Sequence, residues 1–228
     1  MSIKVFKYLK LKGRMIIDKN SAKILKEKFE KEMKREVKLK VFLDKEEKIE
    51  GSNKFIEEFL KELNELSEGK VNFEIFTGKS EEAKKYGVYQ TSTILIDPDN
   101  SYKLIYQGLP LGEEAWAFID TIIQVSKDES LLSKNSKEKL KELSEEREVA
   151  VFVTPTCPYC PYQVFLANNV GIEKKGMVKV VCIDALEFPE LAEKFEVSAV
   201  PHTIINGKTS SIGVQPEEKF VEDVIKGG

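Results

Sequence analysis

The chain has 228 residues, of which 41% are hydrophobic and 33% charged, and its formal net charge is −3. That length holds one large domain or two ordinary ones. Charge so nearly balanced, with both signs interspersed, gives no electrostatic footprint for nucleic acid or an anionic membrane. Three cysteines are too few for a secreted disulfide framework of this size, and no apolar run approaches the ~18 residues of a membrane span. Residues 1–14 break their apolar positions with Lys, unlike a secretory leader, and Met15 is a second candidate start. The expectation is a soluble, cytoplasmic protein, with a Lys/Glu-rich surface of the kind thermophiles favour.

In chain order, Ala22, Ile24, Leu25, Phe29 and Met33 predict a helix over 20–35, capped by Asn20 or Ser21. VKLKVFLD (37–44) reads as a strand, SNKFIEEFLKELNEL (52–66) as a helix and VNFEIFT (71–77) as a strand. GKSEEAKKYG (78–87) is a short helix ending at glycine, and STILIDPDNSYKLIYQG (92–108) two strands about a Pro-Asp-Asn turn. GEEAWAFIDTIIQVS (112–126) is a long amphipathic helix. A polar-faced helix over 135–147 follows, then a strand at 148–154 and a helix opened by a cysteine pair and running to Gly171. The rest reads as a strand (177–184), a helix with proline at its start (188–195), a hairpin turning on Asn206-Gly207 (202–214) and a last helix (216–226).

The order α-β-α-β-α-β-β-α therefore occurs twice. Val41-Phe42-Leu43 parallels Val151-Phe152-Val153, and EEAKKYGV (81–88) parallels ELAEKFEV (190–197). The expectation is two copies of one α/β unit, residues 1–127 and 128–228.

The cysteine pair stands in TPTCPYCPY (154–162), where a strand ends and a helix begins. Only a thiolate attacks a disulfide. Unpaired N–H groups at a helix start, with about +0.5 of a charge, favour that thiolate at Cys157. Cys160, one turn further in, is the more enclosed partner, so Cys157 is expected to attack and Cys160 to resolve. Pro158 is expected in the first helical turn, which needs no N–H from it. One alternative is a zinc-stabilised interaction module on Cys157, Cys160, Cys182 and His202. Against that, Cys182 lies in an apolar strand, where free cysteine behaves as a small hydrophobe.

C-P-Y-C at the first strand–helix junction of its half, with Val200-Pro201 entering the third strand, resembles the thioredoxin/glutaredoxin fold. Two such units in tandem resemble the glutaredoxin-like protein disulfide oxidoreductases of thermophilic archaea and bacteria. The resemblance implies an α/β fold of two tandem units, each a central mixed four-stranded sheet flanked by helices. It implies redox chemistry through a Cys157–Cys160 disulfide with no other cofactor, on protein disulfides, fed by a thioredoxin-reductase-like electron donor. It implies a cis Val200–Pro201 bond facing the disulfide, pairing of the Val200 backbone with an extended substrate, and a site shaped by Pro158 and Tyr159.

His202 is either a modulator of the thiolate or a surface or strand-edge side chain that alternation points away from it. Val151 stands where thioredoxins keep a buried acid, leaving acids such as Asp184, expected to be solvated, to substitute. SSIGVQPEE (210–218) departs from the glutathione-binding pattern. In the first half, FLDKEEKIEGSNKF (42–55) carries no cysteine and Ser92 stands at the place of Pro201. That half is expected to be a scaffold or docking unit, with Tyr86, Tyr89, Tyr102 and Tyr106 as exposed aromatics along a substrate groove. A thioredoxin-fold binding protein without turnover is the remaining alternative.

Overall fold

A computed structural model of the protein describes residues 16–47 and 49–228, with all of their side chains except those at 209 and 210. The expectations for residues 1–14 and for Met15 fall outside that range. Helix α1 (Lys19–Glu32) starts after Asp18, whose carboxylate accepts the N–H groups of Asn20 and Ser21 at 3.0 and 3.2 Å. Asp18 is thus the cap, in place of the expected Asn20 or Ser21, because an ionised oxygen both satisfies orphan donors and complements the positive helix end. There follow β1 (Val37–Phe42), α2 (Ser52–Leu66), β2 (Val71–Phe76), α3 (Glu81–Tyr86), β3 (Thr93–Ile96), β4 (Leu104–Gln107) and α4 (Glu114–Lys127).

The order then repeats as α5 (Lys134–Lys139), β5 (Arg147–Val153), α6 (Cys160–Glu173), β6 (Val178–Asp184), α7 (Pro189–Lys194), β7 (His202–Ile205), β8 (Lys208–Ile212) and α8 (Glu217–Lys226). Helix α5 is shorter than the expected 135–147. It tightens into a 3₁₀ turn at Leu140–Glu142, which lets both Leu140 and Leu143 reach the core. Asn206 and Gly207, at φ 48° and 76°, form the tight β7–β8 turn that the Asn-Gly pair predicts.

Among the described residues eight strands join one sheet, in the order β2-β1-β3-β4-β6-β5-β7-β8. The first four and the last four have the same internal order, and in each only the first pair, β1 with β2 and β5 with β6, is parallel. Helices flank these mixed strands as the α/β reading requires. The two sets of four meet through parallel pairing of β4 with β6, which sets Tyr106 beside Cys182.

Residues of α1, α2, α4, α6 and α8 pack into one continuous core that runs beneath both halves. Two smaller cores hold α3 against Phe42 and Leu95, and α7 against Phe152, Ile183 and Ile204. Burying an aromatic or branched side chain contributes about 1.5–3 kcal/mol. Phe118 of α4, edge-on to Tyr106 at 5.0 Å, therefore fixes that helix on the seam. A Cβ at Gly171 would come within 2.6 Å of a Leu104 methyl and 3.0 Å of a Val180 methyl, so α6 lies close on the same seam and a larger residue there would push those side chains aside. Among the described residues no helix is long and apolar enough to cross a membrane.

The expected row of exposed aromatics does not form. Tyr102 and Tyr106 are each 2% exposed, whereas Tyr89 is open at 93%. The reason is the seam: β4 is covered by β6 on its flank and by α4 on its face, so Tyr106 of β4 and Tyr102 just before that strand have become core. Tyr102 donates to Asp128 and lies 4.6 Å beneath the Lys175 ammonium.

Candidate active site

Strand β5 is apolar to its end at Val153, and residues 154–159 turn the chain before α6 begins at Cys160. The Cys157 N–H donates to the Thr154 carbonyl at 3.1 Å within that turn. Pro158 therefore precedes the helix, contrary to the expected place in its first turn. Pro161 occupies that turn instead, where a missing N–H costs nothing.

Cys157 and Cys160 are joined by a disulfide, their Cα atoms 5.5 Å apart. The Cys160 N–H donates to Cys157 Sγ at 3.1 Å. Cys157 is 8% exposed and Cys160 fully buried. The outer sulfur thus rests on the free donors of a 14-residue helix, where a negative charge formed by reduction is stabilised. Val200–Pro201 is a cis bond, and the Val200 carbonyl oxygen lies 3.8 Å from Cys157 Sγ. Tyr159 and Tyr162 stand open to solvent beside the pair. The structure so brings together Cys157, Cys160, Tyr159, Val200 and Pro201.

His202 and Cys182 lie elsewhere. His202 is opposite Phe152 across β5 and β7, on the sheet face that packs under α7, while Cys160 belongs to the core on the α6 side. Its ring is 2% exposed with neither nitrogen hydrogen-bonded, and burial lowers its pKa, so it is a neutral core side chain. Alternation turns it away from Cys157, so it is no modulator, and α7 covers that face, so it is core and not a surface or strand-edge group. Cys182 is buried in the main core, where burial pushes its thiol well above the ordinary value. Among the described residues no three His, Cys, Asp or Glu groups are placed to hold a metal. The set Cys157, Cys160, Cys182 and His202 is split between two faces of the sheet.

Two acids lie beside Cys182, and both are buried. Asp184 is 4% exposed rather than solvated, and burial raises its pKa. Glu114, in the first turn of α4, is 2% exposed with both carboxylate oxygens lacking a hydrogen-bond partner. Burial, reinforced by the charges of Asp184 and Glu113, pushes its pKa up to about 8. The signal was present: Glu114 lies at i−3, i−4 and i−7 to Ala117, Phe118 and Thr121, all buried on the apolar stripe of its helix.

The first half is differently furnished at the matching place. The Glu47 carboxylate accepts the N–H groups of Gly51 and Asn53 at 2.6 and 3.0 Å. An oxygen anion of the chain itself thus occupies the start of α2, the position that sulfur takes on α6. Asp44 closes the same corner by accepting the Gly78 N–H at 3.0 Å. Thr91–Ser92 is cis, as is Val200–Pro201, and the Ser92 hydroxyl donates to Glu187 of the second half at 3.0 Å.

Comparison with known proteins fits this geometry. The family model described as thioredoxin domain matches residues 147–226. A thioredoxin of Methanocaldococcus jannaschii is 33% identical over 79 residues, which is 93% of that protein and 35% of this chain. The crystal structure of a protein disulfide oxidoreductase from Aeropyrum pernix superposes with a TM-score of 0.79 at 27% identity, covering 91% of this chain and 92% of that one. The N-terminal domain of alkylhydroperoxide reductase AhpF from Enterococcus faecalis shares the fold over 91% of this chain and 99% of that one, with a TM-score of 0.78 at 22% identity.

A disulfide seated on a helix start beside a cis-proline, in this fold, defines a thiol–disulfide oxidoreductase. The chain belongs to the thioredoxin family, through its second half.

Proposed function

We propose that the protein exchanges protein disulfides through one centre, with Cys157 as nucleophile and Cys160 as resolving thiol, and with no cofactor beyond this pair. The observation that carries the assignment is the 3.1 Å hydrogen bond from the Cys160 N–H to Cys157 Sγ, together with the greater exposure of Cys157. Cys157 forms the mixed disulfide because a partner sulfur can reach it and its thiolate is stabilised. Cys160 then attacks Cys157 and releases the partner thiol.

An extended substrate segment lies against the Val200 backbone beside Pro201, with Tyr159 covering its apolar side chains. Residues 128–228 are the redox unit and residues 1–127 a silent copy, its helix start already occupied by Glu47. A reductase carrying a reactive dithiol supplies the electrons; the likeness to the AhpF domain supports a donor of that class.

The test is trapping. Cys160→Ser is expected to accumulate a stable mixed disulfide at Cys157 with a disulfide-bonded peptide, seen by intact mass, while Cys157→Ser forms none. A trapped adduct at Cys160 in the Cys157→Ser protein would reverse the roles.

A further inference from the structure

We infer that Gln163 is a positioning residue for polypeptide substrates: from the first turn of α6 it holds the loop after β8, and through that loop it fixes the backbone at Pro201 opposite Cys157. This rests on the exchange reading above and adds to it a preference for extended peptide disulfides over small ones.

The contacts form a ring. Gln163 is fully buried, three residues after Cys160, and its Oε1 accepts the Gln215 N–H at 2.9 Å. Two residues back, the Gly213 N–H donates to the Pro201 carbonyl at 2.8 Å. The neighbouring Val200 carbonyl oxygen lies 3.8 Å from Cys157 Sγ, and that sulfur accepts the Cys160 N–H at 3.1 Å. The ring starts and ends on the first turn of α6.

Pro201 needs such a support. It stands just before β7, which pairs on its outer side with β8, the edge strand of the sheet. Where β8 ends the chain is open to water, with Ile212 and Val214 both exposed. Apolar packing therefore does little to hold residues 212–215, and hydrogen bonds set their place. The Gln215 side chain ties the loop to β8 and α8, accepting from the Ser211 hydroxyl and donating to Asp223, each at 2.7 Å. The Gln163 bond adds the direction that matters for exchange, towards the helix that carries the sulfurs.

The residue type fits direction rather than filling. A backbone N–H is met by the oxygen of a side-chain amide, so the Gln163 nitrogen faces the other way. That nitrogen is buried without a hydrogen-bond partner, and such burial is costly. An apolar side chain of the same length would fill the space without that cost, but it could not accept from Gln215.

The consequence is selective. A small disulfide needs access to the Cys157 sulfur and little else. An extended peptide must also lie along the Val200–Pro201 backbone, at a spacing that brings its own disulfide into line with Cys157. A loop that drifts from α6 carries that backbone with it, which costs the peptide more than it costs the small disulfide.

The test compares two oxidants of the reduced protein: hydroxyethyl disulfide, and a disulfide joining two short unstructured peptides. The Cys157 thiolate attacks either one, forming a mixed disulfide and releasing one thiol. Cys160 then displaces the second thiol, so the oxidant is reduced to two thiols as the protein disulfide closes. Quenching with N-ethylmaleimide and weighing the protein gives both rate constants. In Gln163→Met the ratio of the peptide rate constant to the small-disulfide one is expected to fall about tenfold, the upper range for one hydrogen bond. Thiolate content at Cys157 cancels from that ratio. Gln163→Glu keeps an oxygen at the same reach and is expected to recover most of it.

In the parent, the Gln215 amide hydrogen is expected to exchange slowly with solvent. An unprotected Gln215 amide would overturn the inference even if Gln163→Met does not fold. So would an unchanged ratio in Gln163→Met, or a ratio that falls as far in Gln163→Glu. A parent that attacks neither disulfide, or that attacks through Cys160, would instead overturn the exchange reading itself.

Discussion

Cys157→Ser is expected to lower the rate of insulin disulfide reduction at neutral pH by at least about 10³-fold, some 4 kcal/mol at 1.36 kcal/mol per tenfold. A serine hydroxyl at the same place is not ionised by a helix start, and an oxygen nucleophile does not exchange with a disulfide. The loss is chemical and not structural. The bridge joins residues only three apart in sequence, and closing so small a loop stabilises the fold by no more than about 2 kcal/mol in the chain-entropy view. Thermal unfolding of the variant should fall by less than about 8 °C for a chain of this length. Turnover within about tenfold of the parent would mean that another group attacks.

Gly112→Ala is expected to be more damaging than alanine at any other described glycine, since its added Cβ makes the closest approach, 2.3 Å to the Pro155 carbonyl oxygen. Gly112 sits at φ +59°, where a non-glycine residue is strained, and its new Cβ would overlap the Pro155 carbonyl oxygen, which is backbone and cannot rotate away. Strain of about 1–3 kcal/mol adds to a similar cost of overpacking. A loss of about 3 kcal/mol, read as a fall of about 6–12 °C in Tm, is the expected result. Because the displaced carbonyl belongs to the loop before Cys157, disulfide exchange should slow as well. Gly69→Ala is the control: φ is +84° but nothing lies within 4 Å of the added Cβ, so only the backbone strain of about 1 kcal/mol remains. Equal losses at the two glycines would show that contact between α4 and the active-site loop has no weight.

Much of this was written in the chain because the halves follow simple periods. β-branched alternation marks β1 and β5, Asn206-Gly207 fixes the last hairpin, and the cysteine pair announces both the start of α6 and its chemistry. What the pattern hid is long-range. Nothing local says that β4 pairs with β6, and once it does, Tyr102 and Tyr106 change from surface to core. His202 alternates with Ile204 and so shares the face under α7, but the direction of that face is set by the sheet and not by the residue. Glu114 reads as one more acid at the start of an amphipathic helix. Only the closure of the seam takes it out of water and beside Asp184. The apolar stripe of α1 begins only at Ala22, so periodicity points to Asn20 or Ser21 and gives no sign of the cap at Asp18.

The central claim is that the start of α6 makes one sulfur of the pair reactive and leaves the other enclosed. Alkylation of the fully reduced protein by iodoacetamide across a range of pH, with the labelled peptide identified by mass, measures it directly. The account predicts labelling at Cys157 ahead of Cys160, with its half-rise at a pH well below the ~8.5 of an ordinary cysteine. Labelling of Cys157 that rises only with ordinary thiols, or that falls first on Cys160, would contradict it.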